Sequence, residues 1–315
     1  MTPTQALRLG TRGSALALWQ ARTVAHLLES HGNAVEIVVI KTAGDRLQEA
    51  PLSEAGGKRL FVKEIEDALL NDVVDLAVHS AKDLPTDLPD GLEVAATLPR
   101  EDPRDAMVLP DGSPHGELNE VLGQLPGRTT VGTSSVRRIA QLVAILPEAT
   151  FAPIRGNVDT RLRKLDAGGY QALVLASAGM RRLGFGGRIT AAIPVERCIP
   201  APGQGIVAVE IRADDRGARK ALDAINDALS GVSLAAERAL VSALGGGCQL
   251  PLGAIALHDN GTLDMRAIVS SVDGRRTVKR ELRGSGSDPA GLGQRLAEEL
   301  AAGGATAILD EVRRG

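Results

Sequence analysis

The chain has 315 residues, 43% of them hydrophobic and 24% charged, with 36 basic against 39 acidic side chains and a net charge of −3. That length suits two or three domains with substantial cores, and the near-neutral balance argues against a general nucleic-acid or polyanion binder. Five aromatic residues, Trp19, Phe61, Phe151, Tyr170 and Phe185, are too few for base-stacking platforms or aromatic cages.

Short apolar runs alternate with helical patterns at the start: strand-like Leu7 to Leu9, helix Ala15 to Glu29, strand Val35 to Ile40, helix Phe61 to Leu70, strand Val74 to Val78. This is the α/β signature of a largely parallel sheet. The charged, Pro-containing segment Arg100 to Arg104 reads as a boundary. A second series follows, with strands near Ala106 to Leu109, Thr129 to Val131, Thr150 to Pro153 and Ala172 to Ala176, and helices near Ser134 to Leu146 and Val158 to Asp166. Pro200 to Gly205 punctuates the chain again before an apolar strand, Ile206 to Ile211. The remainder reads as a small α+β region: helices near Asp215 to Leu229 and Leu234 to Leu244, strands Gly253 to Leu257, Leu263 to Val269 and Thr277 to Leu282, and a helix near Pro289 to Ala302. Asp259-Asn260-Gly261 and Asp273-Gly274 are hairpin signals.

Cys198 and Cys248 cannot make a disulfide framework, and no Cys/His group has zinc-ligand spacing, so a reduced cytoplasmic setting and no metal are expected. Met1 to Leu9 lacks the pattern of a secretion signal, and no stretch approaches the roughly 18 apolar residues of a membrane span.

Of the basic residues, 29 are Arg and 7 are Lys. A GC-rich genome explains such a bias; so does recognition of carboxylates or phosphates, which pair bidentately with guanidinium. Placement distinguishes the two. Ligands of parallel sheets bind beyond the carboxyl ends of the strands, where the next helix begins. Arg12 falls between a strand and the helix capped by Ser14, Arg137 and Arg138 fall in the first turn after Gly132-Thr133-Ser134-Ser135, and Arg155 precedes Gly156-Asn157. Cations in a first turn oppose the helix dipole at about 0.3–1 kcal/mol each, a cost that an anionic ligand offsets. The competing reading is pairing with acids of the chain itself. Arg161 and Arg182 extend the same lining or are exposed helix charges.

Val74 to Val78 runs directly into His79-Ser80-Ala81-Lys82-Asp83-Leu84-Pro85. A carboxylate at a strand's end beside a basic wall can exchange protons with a reacting nitrogen, and Lys82 can hold an acidic group, so Asp83 is the one acid/base candidate. The alternative is a turn with Asp83 as cap and Lys82 solvated; His79 reads as a core residue, having no partner ligand nearby. Leu244-Gly245-Gly246-Gly247-Cys248-Gln249 places a cysteine on a glycine loop, which favours a reactive or modified thiol, whereas Cys198 reads as a small buried hydrophobe.

Taken together, Thr11-Arg12-Gly13-Ser14, Gly56-Gly57-Lys58, Leu60-Phe61-Val62-Lys63-Glu64, His79 to Pro85, Arg100 to Asp105, Gly132 to Arg138, Arg155-Gly156-Asn157-Val158-Asp159-Thr160-Arg161, Pro202-Gly203-Gln204-Gly205 and Gly246-Gly247-Cys248-Gln249 resemble porphobilinogen deaminase, also called hydroxymethylbilane synthase. The resemblance implies two periplasmic-binding-protein-like α/β lobes and a small α+β C-terminal domain: residues 1–100 with 200–217 returning to them, 101–199, and 218–315 carrying the cofactor cysteine. It implies a transferase of tetrapyrrole biosynthesis, monomeric, cytoplasmic, acting on porphobilinogen without metal, nucleic acid or membrane. A dipyrromethane cofactor joined as a thioether to Cys248 is also implied. Bound porphobilinogen loses ammonia to an azafulvene, the terminal pyrrole attacks, and after four rounds hydrolysis releases hydroxymethylbilane. By matching position, Asp83 protonates the departing amine with Arg12 beside the ring. Ser14, Lys82, Arg137, Arg138, Arg155 and Arg161 bind cofactor or substrate carboxylates, Lys58 also belongs to the cofactor- and substrate-binding set, Arg182 assists elongation, Ser135 and Gln204 line the cleft, and Phe61 lies on a covering segment. Glu54, Arg59 and Gly245 depart from the family pattern. The rival is a bilobal carboxylate-binding or sensor protein, since one architecture serves both roles.

Overall fold

Alternating apolar residues build the first sheet. The computed structural model describes residues 6–42, 59–246 and 250–314, with the backbone alone at 59–61. Lys58 and Cys248 therefore lie outside the described residues, as do Glu54 and the rest of 43–58, and Phe61 is placed only as a helix position.

Strands β1 (Leu7–Thr11), β2 (Val35–Val39), β3 (Leu76–Ser80), β4 (Leu92–Thr97) and β10 (Val207–Arg212) form one sheet in the order β2-β1-β3-β10-β4. β1 runs parallel to β2 and β3, whereas β10 enters antiparallel between β3 and β4, making the sheet mixed. Leu76, Val78, Val207, Val209 and Ile211 pack against Ala21, Val24 and Leu28 of α1 (Ala15–Ser30). The opposite face, through Val74, Ala77 and Leu92, receives Ile65 and Leu69 of α2 (Arg59–Leu70).

The second sheet repeats the plan. β5 (Asp105–Val108), β6 (Thr130–Gly132), β7 (Thr150–Ala152), β8 (Ala172–Ala176) and β9 (Ala191–Ile193) lie in the order β7-β6-β8-β5-β9, with β5 antiparallel to both neighbours. Helices α3 (Leu118–Gly123) and α4 (Val136–Leu142) cover one face around Met107, Val131 and Val174, and this core also takes in Cys198. Helices α5 (Val158–Asp166) and α6 (Ser177–Arg182) cover the other around Leu173 and Leu175.

Helix α7 (Arg216–Asp223) places Ala218 and Leu222, four residues apart on one face, in the core of the first sheet together with Ile225. By contacts the first compact unit is accordingly Met1–Arg100 with Ile206–Gly231, and the second is Glu101–Gly205 with Val232–Gly315. Residues 218–231 fall in the first unit because the apolar stripe of α7 has the first sheet as its partner.

After α8 (Ala228–Ala243), strands β11 (Leu252–Asp259), β12 (Thr262–Ser270) and β13 (Thr277–Ser285) form an antiparallel sheet backed by α9 (Pro289–Ala302) and α10 (Ala305–Arg314). The first hairpin turns through Asn260 and Gly261, at φ 46° and 84°, the left-handed pair that its sequence predicts. β11 is seated on residues 199 and 200: the Ala254 amide donates to the Pro200 carbonyl at 3.0 Å. A Cβ on Gly253 would stand 2.5 Å from the Ile199 carbonyl oxygen, so only glycine permits this approach. Gly253→Ala is expected to destabilise the protein by about 1–3 kcal/mol in urea unfolding, the usual range for forcing extra volume into a packed site.

Candidate functional site

In the first unit, the parallel strands β1 and β3 finish side by side, and each leads into predicted site residues. Beyond β1, the Thr11 hydroxyl donates to the Ala17 carbonyl at 3.2 Å, Arg12 is half-buried, and the Ser14 hydroxyl accepts from the Ala17 amide as the N-cap of α1. Beyond β3, residues Ala81–Asp83 form a 3-10 turn, tied by the Ala81 amide to the Ile206 carbonyl at 3.0 Å. Gln20 of α1, almost wholly buried, donates to the Ser80 hydroxyl at 2.8 Å and fixes the start of that turn. Lys82 and Asp83 are half-buried. Among the described residues none hydrogen-bonds or ion-pairs with the Asp83 carboxylate, which leaves it open to an incoming nitrogen. His79 is a core residue: its Nε2 lies 3.0 Å from the buried Glu210 carboxylate on β10, an ion-pair contact by distance without hydrogen-bond alignment.

In the second unit, β6, β7 and β8 are parallel and finish at one end, leading respectively to Ser135 and α4, to Arg155, and to α6 with Arg182. Because β5 is antiparallel, its first residue, Asp105, pairs with Ala176 at that same end. In the sequence Asp105 figures only as the last residue of the Arg100 to Asp105 motif, with no role of its own, yet the structure makes it the anchor of the cluster. Fully buried, it accepts from Arg137 Nη1 at 2.8 Å, Arg138 Nη2 at 2.8 Å, Arg138 Nε at 3.1 Å and Gln204 Nε2 at 3.0 Å. The available signal was an acid opening an apolar strand, a position that a core must compensate. The arginines of α4 therefore do pair with an acid of the chain, but a buried one. Arg137 also donates to the Ile199 carbonyl and Arg138 to the Val174 carbonyl, each at 2.8 Å.

Burial alone would raise the Asp105 carboxyl, but the charges of Arg137 and Arg138, with hydrogen bonds from Arg137 and Gln204, hold it well below the usual carboxylate range. The Cys198 thiol is pushed up to about 12, chiefly by burial and then by Asp105, against the opposing arginines. It is inert at neutral pH, as its reading as a small buried residue expects.

One Asp105 charge meets two arginines, so the cluster keeps an excess positive charge. Its effect is visible at Arg161, whose guanidinium is pushed down to about 10 by burial and then by repulsion from Arg138 and Arg155. Arg161 donates through Nε to the Gly156 carbonyl at 2.8 Å. Arg182 is also lowered, by burial that Glu101 partly offsets, while its Nη2 donates to the Gly205 carbonyl at 2.7 Å. Ser135, like Ser14, is an N-cap, accepting from the Arg138 amide. A capping hydroxyl still has its own proton to give an anion.

A family profile described as "Porphobilinogen deaminase, dipyromethane cofactor binding domain" matches residues 7–220, and one described as "Porphobilinogen deaminase, C-terminal domain" matches 232–302. The chain belongs to the porphobilinogen deaminase family. Curated relatives carrying the name "Porphobilinogen deaminase" include those of Acidithiobacillus ferrooxidans, 47% identical with 98% of each chain covered, and of Trichlorobacter lovleyi, 45% identical with 97% of this chain and 96% of the relative covered. Among solved structures, a periplasmic substrate-binding protein of an ABC transporter from Coxiella burnetii is similar at TM-score 0.41 and 11% identity, covering 70% of this chain and 92% of that one.

The family's cofactor is dipyrromethane, and the donor set fits it. A carboxylate-bearing chain of rings calls for half-buried guanidiniums and capping hydroxyls, and the second unit by itself carries them at Arg155, Arg161 and Ser135, while the first carries a capping hydroxyl at Ser14; the repulsion felt at Arg161 favours an anion. Near Cys248, α8 ends through Gly245 and Gly246, both at positive φ (83° and 57°). Gly245, the departure from the family's acid, lies against Arg313, which donates to the Leu244 carbonyl at 2.7 Å. Among the described residues no cluster of His, Cys, Asp and Glu could hold a metal, and no helix is long and apolar enough to cross a membrane.

Asp105→Asn is expected to cost about 3–5 kcal/mol at pH 7 by leaving two buried guanidiniums uncompensated. Because the folded carboxyl is depressed, its contribution is present above the unfolded value near 4 and is lost as pH falls toward the folded value. Denaturant unfolding of the two proteins should show a constant gap from about pH 7 to 5 that narrows below about 4.

Proposed function

We propose that this chain is a transferase that condenses four porphobilinogen molecules head to tail, with loss of ammonia, and releases hydroxymethylbilane by hydrolysis. The observation carrying this reading is the chemistry at the strand ends of each sheet taken by itself: Arg12 and Asp83 beyond β1 and β3 of one, and in the other a half-buried Arg161 lowered by burial and by repulsion from Arg138 and Arg155. An amine must be protonated to leave, and each porphobilinogen brings an acetate and a propionate to be neutralised.

Cys248 carries the dipyrromethane as a thioether, and the group when bound supplies a nucleophilic pyrrole carbon. Asp83 delivers a proton to the departing amine and then, ionised, stabilises the positive pyrrole nitrogen; Arg12 stands beside it. Ser14, Lys58, Lys82, Ser135, Arg155 and Arg161 bind cofactor and substrate carboxylates by charge-assisted bonds of roughly 1.5–3 kcal/mol each. Arg137 and Arg138, fixed by Asp105, contribute a permanent charge to the same end of their sheet, Arg182 lines the path of the growing chain, Gln204, expected from the resemblance to line the cleft, is instead buried behind it on Asp105, and Phe61 belongs to a segment covering that path. The protein works as a cytoplasmic monomer of three domains, the third carrying Cys248.

Intact mass of the purified protein should exceed the polypeptide by two linked pyrroles, and Cys248→Ala should lack the increment. A bare wild-type polypeptide, inert toward porphobilinogen after reconstitution, would favour the carboxylate-binding rival. Asp83→Asn should keep the adduct and lose about 10²–10⁴-fold in turnover, the span of general acid–base catalysis; near-normal turnover in a stopped assay would remove Asp83 from that role.

A further inference from the structure

The turn between the second sheet and β10 is held on several sides. The Gln204 amide closes it onto the Ala201 carbonyl at 2.9 Å, and Gly203 and Gly205 adopt φ 74° and 91°. The Gln204 side chain, almost wholly buried, donates to the Pro103 carbonyl at 2.7 Å as well as to Asp105. Behind the turn lies Glu237, a fully buried carboxylate on α8. Its Oε2 accepts from the Gly203 amide at 2.5 Å and its Oε1 from the Ala256 amide on β11 at 2.8 Å.

A carboxylate in such a place is costly unless both oxygens are satisfied. Here they are satisfied by backbone donors from two different segments. Glu237 lies on the helix that precedes Cys248 and Ala256 on the strand that follows it, so one side chain joins both flanks of that region to the turn presenting Gln204 to Asp105. An amide could not replace it: glutamine has one acceptor oxygen, and its NH2 would face a backbone N–H.

Resting on the proposed function, we infer that Glu237 is a positioning residue for the condensation reaction: it fixes the Gly203–Gln204 turn, and through Gln204 the Asp105–Arg137–Arg138 cluster, relative to the segments flanking Cys248. Its action on substrate runs through Gln204, since the Glu237 carboxylate itself is sealed in the core.

The test is a double-mutant cycle on the holoenzyme with porphobilinogen. Glu237→Gln should retain the two-pyrrole mass increment and raise KM about tenfold, the worth of a lost charge-assisted hydrogen bond. Added to Gln204→Ala it should raise KM less than about twofold, because coupled residues are not additive. Glu237→Asp, which keeps the charge, should recover part of the loss, and the same cycle with Glu237→Asp serves if the glutamine variant does not fold. Equal increments in both backgrounds, or an unfolding midpoint that moves while KM stays constant, would overturn the inference and leave the enzyme reading intact. A wild-type protein with neither adduct nor turnover would take down both.

Discussion

The second unit depends on one buried carboxylate. Asp105 opens the single strand of its sheet that runs antiparallel to both neighbours, which carries an acid to the end where the sheet's four other strands finish. There it meets Arg137 and Arg138, and the three side chains with Gln204 draw together β5, β8, α4 and the segment from Cys198 to Gly205. Well-packed apolar residues can stabilise a core as well as a buried ion group does. What apolar residues could not supply is a fixed positive charge in excess of the acid that holds it.

That excess separates two uses of arginine in this chain. Arg8, at the start of β1, and Arg212, at the end of the oppositely directed β10, share the far end of the first sheet. There Arg8 pairs with Asp72 and Asp75, and Arg212 with Asp75 and Asp215. Hydrogen bonding and attraction from Asp75 raise Arg8. Arg161 is lowered, and the charges that reach it are positive. Genome composition places arginine at both kinds of strand end alike; a guanidinium raised by neighbouring acids at the amino end of β1 and one lowered by burial and neighbouring arginines beyond the carboxyl ends of the second sheet differ as the geometry of ligand crevices in such sheets expects.

The alternating helices and strands were legible because local signals set them: Ser14 and Ser135 cap the helices they precede, and Asn260-Gly261 turns the hairpin it encodes. Strands β4 and β9 were not: alanines with weak strand preference, Ala95 and Ala96 in the middle of β4 and Ala191 and Ala192 in the three-residue β9, interrupt their apolar signal. The antiparallel entry of β10, and the packing of α7 on the first sheet, depend on partners more than a hundred residues away. Shorter separations, 32 residues for Asp105 and Arg137 and 34 for Glu237 and Gly203, were enough to hide the anchors. Asp105 and Arg137 touch only after folding, and Glu237 and Glu210 stand inside apolar patterns whose periodicity marks a core position without naming what satisfies the charge.

The two cysteines show why environment, and not residue type, decides reactivity. Cys198 sits 3.5 Å from an Asp105 oxygen and in the core around Met107, so burial and a neighbouring negative charge both oppose its thiolate. The thiolate is the form that bonds carbon, and the two adjacent arginines do not restore it because Asp105 already engages them. On the proposed function, attachment falls instead to Cys248, a cysteine preceded in sequence by three glycines.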